Sequence, residues 1–369
     1  MPSNRTNRFE KHPVITIGIV VLLGTLAATA VFLIIHKFYP APVEEKDLFD
    51  AAFTYREASP VFHHGLSKNR AVMAAWGPLR YRLYTNSLGF RDRCVREVPL
   101  KVENHRILLM GDSFTEGIGL PYEDTFAGII ARTLENKNVD ILNAAVVSYS
   151  PIIYWRKTKY LIETVGLQFD EMVVFLDISD VRDEAESYYL DDQGNVKSHL
   201  LEDPKTRKKI LKRIRQDRIV DSLSRYLSIL TEFSTQPAWE TGRWTIDPDL
   251  FEKYGRPGLA QMTTYMNRLR ELLNRHGIKL TVAVYPWPVQ IREKDLESVQ
   301  AEHWRDWCRH HHIDFINYFP VFIDPDEKDP QKVIDRYFIP GDVHWNREGH
   351  ELIARIFCRH FLQNHSISQ

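Results

Sequence analysis

From residue 106 onward, short apolar runs bounded by turn residues alternate with stretches whose apolar positions fall at helical spacing. Arg106 to Met110, Val139 to Asn143, Glu171 to Leu176, Ile278 to Val284 and Ile313 to Ile316 read as strands. Glu171 to Leu176 is a continuous apolar run, the kind a parallel sheet buries on both faces. Tyr122 to Leu134, a stretch starting at Ser150-Pro151, Leu259 to His276, Asp295 to His310 and Arg347 to Leu362 read as helices. Ser150 suits an N-cap and Pro151 the first helical position. Gly277 suits the residue just past a helix end. The alternation predicts an α/β fold, a three-layer α/β/α sandwich around a mostly parallel sheet.

The pattern is different on either side of this core. Leu48 to Arg96 is mixed: Tyr81 to Thr85 alternates like a strand, Asn86 to Arg91 reads as a turn, and the segment is expected to pack beside the main domain. The alternation also breaks from about residue 185 to 256, which reads as an insertion. It contains a hairpin signal at Asp192-Gln193-Gly194-Asn195, a basic run from Lys205 to Arg218, and an amphipathic stripe from Ile219 to Phe233. A basic run is usually a solvated helix face; contact with anionic glycan or lipid headgroups is the more specific reading.

Near the N-terminus, Val14 to Ile35 carries no charged residue and is long enough to cross a bilayer core of ~30 Å as a helix. Arg5, Arg8 and Lys11 precede it, and Glu44, Glu45 and Asp47 follow. The positive-inside rule then predicts a cytoplasmic tail at 1–13, a transmembrane anchor at 14–36, and a catalytic domain outside the cytoplasm. A cleaved signal peptide is the competing reading, but the run is longer than a usual h-region and ends in Ile34-Ile35-His36-Lys37 rather than a small-x-small site. Residues 37–105 become a juxtamembrane linker and accessory segment, and 106–369 the main domain.

Composition narrows the function. The chain has 369 residues, 44% hydrophobic and 26% charged, with a net charge of −1. That excludes a global electrostatic case for nucleic-acid binding. Cys94, Cys308 and Cys358 are too few and too far apart for a disulfide framework or a zinc site. No HExxH, P-loop or GxGxxG motif is present, so no cofactor or metal is expected. His310-His311-His312 points in different directions on a helix, and His63-His64 has no partner in sequence.

The candidate chemistry lies at two distant points. Ile107 to Gly117 is an apolar run that ends in Gly111-Asp112-Ser113, followed by a helical pattern. This places Ser113 at the C-terminal end of a strand, where open α/β sheets bind ligands. A serine there is a nucleophile only if a base takes its proton. Far downstream, Gly341-Asp342-Val343-His344-Trp345-Asn346 offers His344, with Asp342 at the i−2 position to orient it. The same spacing also suits an Asp-His pair that merely caps the closing helix. Asp112 reads as a group that ties the turn, and Glu116 as a carboxylate serving the helix dipole. Among Trp239, Trp244, Trp287, Trp304 and Trp345, core packing is the default; a sugar-stacking platform is the alternative, with Trp345 the first to test.

Gly111-Asp112-Ser113-Phe114 together with Asp342-Val343-His344 resembles the SGNH/GDSL hydrolase family, over roughly residues 106–362 without the insertion. Asn86-Ser87-Leu88-Gly89-Phe90-Arg91 is similar to a segment that often precedes the serine block in bacterial members. The resemblance implies an SGNH, flavodoxin-like sandwich and a serine esterase, with Ser113 as nucleophile, His344 as base and Asp342 as its partner. Ser148 stands where the family's oxyanion-hole glycine aligns, and Ser179 where its asparagine does. With Ser113, they form the implied oxyanion hole, provided Ser148 avoids a positive φ. The expected substrate is an acyl or acetyl ester of an envelope glycan or lipid. Asp-x-His-Trp is similar to bacterial members that act on envelope polysaccharides, which brings in an O-acetyltransferase as an alternative. The substitutions at 148 and 179 bring in a non-catalytic envelope scaffold as another.

Overall fold

The computed structural model of the protein describes residues 13–38, 55–199 and 239–364. The expected tail at 1–13 but for Pro13, residues 39–54 of the expected linker, the basic run and the amphipathic stripe lie outside them. Two units are present, one containing the helix Pro13–Phe38 and the other everything from residue 55 on. Side chains on the helix are described at 15, 17–19 and 21–29. Ile15, Ile17, Val21, Leu22, Leu23 and Leu26 among them are exposed. Counted over described residues alone, no helix is long and apolar enough to cross a membrane.

The second unit is built on an eight-stranded sheet. Strands β1 (Arg56–Ser59) and β2 (His63–Leu66) form a separate antiparallel pair. Then come β3 (Ala71–Trp76), β4 (Leu79–Thr85), β5 (Arg91–Asp92), β6 (His105–Met110), β7 (Val139–Asn143) and β8 (Glu171–Leu176). A short hairpin, β9 (Tyr188–Leu190) with β10 (Val196–Ser198), follows where the turn signal placed it. β11 (Lys279–Val284) and β12 (Asp314–Asn317) complete the set. The main sheet runs β12-β11-β8-β6-β7-β5-β4-β3.

Five of these strands, β12-β11-β8-β6-β7, are parallel and are the five predicted from apolar runs. Their order is that of a flavodoxin-like sheet, whose winding reverses between its first and third strands, here β6 and β8. The helices Pro151–Tyr160, Arg256–Arg275 and Val299–His311 pack together; His303 and Trp307 of the last reach Thr263 and Asn267 of the second. Phe126–Leu134 and Arg347–Asn364 pack together as the other layer. Right-handed crossovers require this division once the strand order is set.

Three expectations need correction. Residues 71–92 are not an accessory beside the domain: β5 pairs antiparallel with β7, and β4 and β3 extend the sheet beyond it. They continue the sheet past β7, with β5 and β7 paired at one position, Arg91 with Asn143. The helix expected from residue 295 begins at Val299, after a separate short helix at Pro288–Arg292. Ser150 occupies the N-cap position but caps nothing, because its hydroxyl donates to Glu184 Oε1 at 3.0 Å. The same carboxyl oxygen accepts the Ile152 N–H at 2.6 Å, so Glu184 does the capping from another element.

Burial pushes the Glu184 carboxyl up to about 8. Its unfolded value is about 4.3. The folded state therefore holds the extra proton between those values, and the stability this contributes is lost as pH rises toward 8. Glu184→Gln removes the titration. Urea denaturation between about pH 5 and pH 8 should show wild type losing stability relative to the variant as pH rises. Parallel curves would refute this.

Candidate active site

Ser113 follows β6 directly, at the point where the sheet reverses its winding. Residue 111 can only be glycine: a Cβ there would stand 2.2 Å from Thr115 Oγ1 and 3.1 Å from the Phe175 carbonyl oxygen of β8. Asp112 caps the single helical turn Ser113–Glu116 by accepting the Phe114 N–H at 3.0 Å, as the turn-tying reading expected. Gly117 ends the turn in the left-handed region, at φ 79°. The guanidinium of Arg91, itself buried, donates to the carbonyls of Glu116, Gly117 and Leu120. The side chain of Asn86 ties its own turn through Leu88 N–H, Phe90 N–H and Asp92. The segment before the serine block thus clamps the loop after it.

The closing loop brings in His344. Ile339 N–H donates to the His344 carbonyl at 2.9 Å, and Phe338 bridges to Trp345. Asn346 caps the Arg347–Asn364 helix by accepting the Gly349 N–H at 3.1 Å. Capping is therefore not the task of the Asp-His pair. His344 Nδ1 lies 2.6 Å from Asp342 Oδ1, and His344 Nε2 lies 2.8 Å from Ser113 Oγ. With Nδ1 carrying the proton toward the carboxylate, Nε2 is left as an acceptor for the serine hydroxyl. Burial alone would raise Asp342, but the hydrogen bond and charge of His344, together with the Trp76 indole N–H, pull it down to about 2. The carboxylate is thus ionised across the neutral range. Ser113 and His344 are both buried.

A second group of carboxylates lies behind the serine. Asp112, Asp177 and Asp180 place oxygens within 4.8 Å of one another, all buried. Tyr285, Trp287 and Tyr154 donate to Asp112, Asp177 and Asp180 respectively. Burial and mutual repulsion push Asp112 and Asp180 well above the usual carboxylate range. This is the grouping among the described residues that has metal-ligand geometry. Neutral donors already occupy most of its oxygens, and proton uptake relieves the repulsion without an ion.

The two other expected oxyanion residues depart from expectation. Ser148 has φ 60°, the left-handed region, so the condition placed on it is not met. Its loop is held from both sides: Val147 N–H donates to Glu116 Oε2 at 2.8 Å, Val147 O lies 2.8 Å from His64 Nε2, and Tyr188 donates to Ser148 O at 2.9 Å. The Ser179 hydroxyl donates to Asp177 Oδ1 at 2.5 Å, and its N–H donates to the same oxygen at 2.8 Å. That hydroxyl is committed to a carboxylate and does not take the place of an amide donor.

Sequence reasoning missed several residues here. Glu116 does not serve a helix dipole; it is fully buried and paired with Arg56 at 2.7 Å. His64, without a partner in sequence, holds the 147 carbonyl. Trp76 reaches Asp342 across 266 positions. Trp244, Trp287, Trp304 and Trp345 are all buried, which removes them as a sugar platform. Trp345 packs between Phe114 and Tyr285 in the core, with ring centroids 4.8 and 4.7 Å away.

No family model matches the chain, and no curated protein matches it. Its likeness is to solved GDSL-type structures. A GDSL-like lipase from Bacteroides thetaiotaomicron shares 12% identity at a TM-score of 0.41, over 72% of this chain and 92% of that one. A member of the lipolytic G-D-S-L family from Veillonella parvula shares 14% at 0.38, over 69% and 97%. A lipase/acylhydrolase from Enterococcus faecalis shares 12% at 0.38, over 72% and 99%.

Losing an oxyanion donor typically costs roughly 10²–10³ in kcat. Because the Ser179 hydroxyl is committed to Asp177, the esterase activity expected from the sequence should keep its kcat within about threefold of wild type in Ser179→Ala. A loss of a hundredfold or more would show that the hydroxyl turns to the substrate during turnover.

Proposed function

We propose that this chain is a serine esterase of SGNH type. The observation that carries the reading is the hydrogen-bonded chain from Ser113 Oγ through His344 to Asp342, at 2.8 and 2.6 Å. Ser113 Oγ attacks the ester carbonyl while His344 Nε2 takes its proton. The tetrahedral oxyanion is met by the Ser113 N–H. Its collapse breaks the ester bond, and His344 returns the proton to the departing alcohol. Water, deprotonated in turn by His344, then attacks the acyl-enzyme; the acyl–Oγ bond breaks, His344 returns the proton to Ser113 Oγ, and the acid leaves. The substrate class is an acyl or acetyl ester of an envelope glycan or lipid.

A serine-directed fluorophosphonate tests the nucleophile. It should label wild type covalently and leave Ser113→Ala unlabelled, with the adduct mapped to Ser113 by mass spectrometry. A wild-type protein that stays unlabelled would favour the scaffold reading, for which the committed Ser179 hydroxyl speaks.

We further propose that the helix Pro13–Phe38 anchors the chain in a membrane with the catalytic unit outside the cytoplasm. The uncharged run from Val14 to Ile35 and the basic residues before it support this reading, and the helix's described apolar side chains are exposed. In alkaline carbonate extraction of cells expressing the full chain, the protein should remain in the membrane pellet. Release into the supernatant would sink this reading.

A further inference from the structure

Asp342 has two carboxylate oxygens, and they face different partners. Oδ1 accepts from His344 Nδ1 at 2.6 Å and from the His344 N–H at 3.1 Å. Oδ2 accepts from the indole Nε1–H of Trp76 at 2.6 Å. The Trp76 ring also stands edge-on to the imidazole, with centroids 5.2 Å apart and planes at 81°. One indole therefore touches both the orienting carboxylate and the base.

Trp76 is held in place by the fold. It ends β3, whose register to β4 pairs it with Leu79. The hairpin is fixed from below by Ala74, Tyr81 and Leu83, all buried. On the other side, the loop after the serine turn passes the same corner: a Cβ on Gly119 would lie 3.2 Å from Leu79 Cδ1 and 4.0 Å from Trp76 Cδ1. The donor is thus attached to the sheet and not to a free loop.

We propose that Trp76 is a positioning residue for the reaction, acting through Asp342. A carboxylate with only one oxygen engaged is free to turn about its last bond. Engaging Oδ2 stops that rotation and keeps Oδ1 aimed at Nδ1, which keeps Nε2 aimed at Ser113. The hydrogen bond is charge-assisted, the stronger kind. The inference rests on the reading of Ser113, His344 and Asp342 as the catalytic chain, and it makes the N-terminal hairpin part of that machinery.

The test is Trp76→Phe, which keeps an aromatic ring and removes the donor. With an aryl acetate as substrate, kcat should fall roughly 10–100-fold, the worth of one hydrogen bond to a charged group, with KM within about twofold because Trp76 acts on the base and not on substrate binding. The downfield proton resonance of His344 Nδ1–H, identified by its loss in His344→Ala, should move upfield and broaden. A Trp76→His variant, which keeps a ring N–H, should recover part of the loss. Unchanged kcat with an unmoved downfield resonance overturns the proposal. Retained hydrolysis in Ser113→Ala would instead overturn the catalytic reading beneath it. Should Trp76→Phe not fold, wild type labelled with ¹⁵N-tryptophan decides: a Trp76 indole proton protected from solvent exchange supports the contact, and one exchanging freely overturns it.

Discussion

A methyl group at position 111 would collide with the Thr115 hydroxyl and crowd the β8 backbone, so β6 can turn where it does only because that residue has no side chain. The consequences follow in order. The turn lets Asp112 fold back onto the Phe114 N–H. The next residue, Ser113, then opens a helix in the crevice where the sheet reverses direction. The Asp177 and Asp180 carboxylates at the end of β8 sit across that crevice, close enough to repel. The close approach of β6 and β8 thus places both Ser113 and the acidic group behind it.

Much of the core was legible because its signals are local. Five apolar runs gave five parallel strands, and the glycine–aspartate–serine turn announced its own geometry. The Asp342–His344 contact was legible too, since two residues of one loop can meet without help from the rest of the chain. Glu116 shows where this fails. A carboxylate in a first helical turn looks like a dipole partner, and nothing nearby reveals that Arg56, sixty positions upstream, neutralises it in the interior. Glu184 capping a helix thirty-two positions before it is the same case. Trp76 is the extreme one: a strand of mixed polarity gives no hint that its last side chain reaches a loop 266 positions away. Ser148 and Ser179 were misjudged differently. Their alignment was readable, but a left-handed φ and a competing carboxylate acceptor are properties of the folded surroundings.

The loop that carries Ser148 shows how buried charge is put to use. Around it lie Arg56, Glu116, His64 and Lys157. Lys157 is enclosed, donating to Ala144 O at 2.7 Å and to Tyr149, and burial lowers its ammonium to about 7. Burying such groups costs stability unless each finds a partner. Here the partners include carbonyls and amides of residues 144–147, so these buried polar groups fix a backbone path. That path also holds Ser148 in a conformation a serine would not adopt unaided.

The antiparallel strands β3 to β5 also matter for where the sheet ends. β7 is the last parallel strand on its side, and among the described residues β5 pairs with its outer edge at one position, Arg91 with Asn143. A chain trimmed to begin at residue 106 would keep the serine, histidine and aspartate yet lose that pair and, with it, the Arg91 guanidinium that gathers the carbonyls of Glu116, Gly117 and Leu120. Removing the N-terminal hairpin would therefore cut the sheet back to its parallel strands, with β7 at the rim.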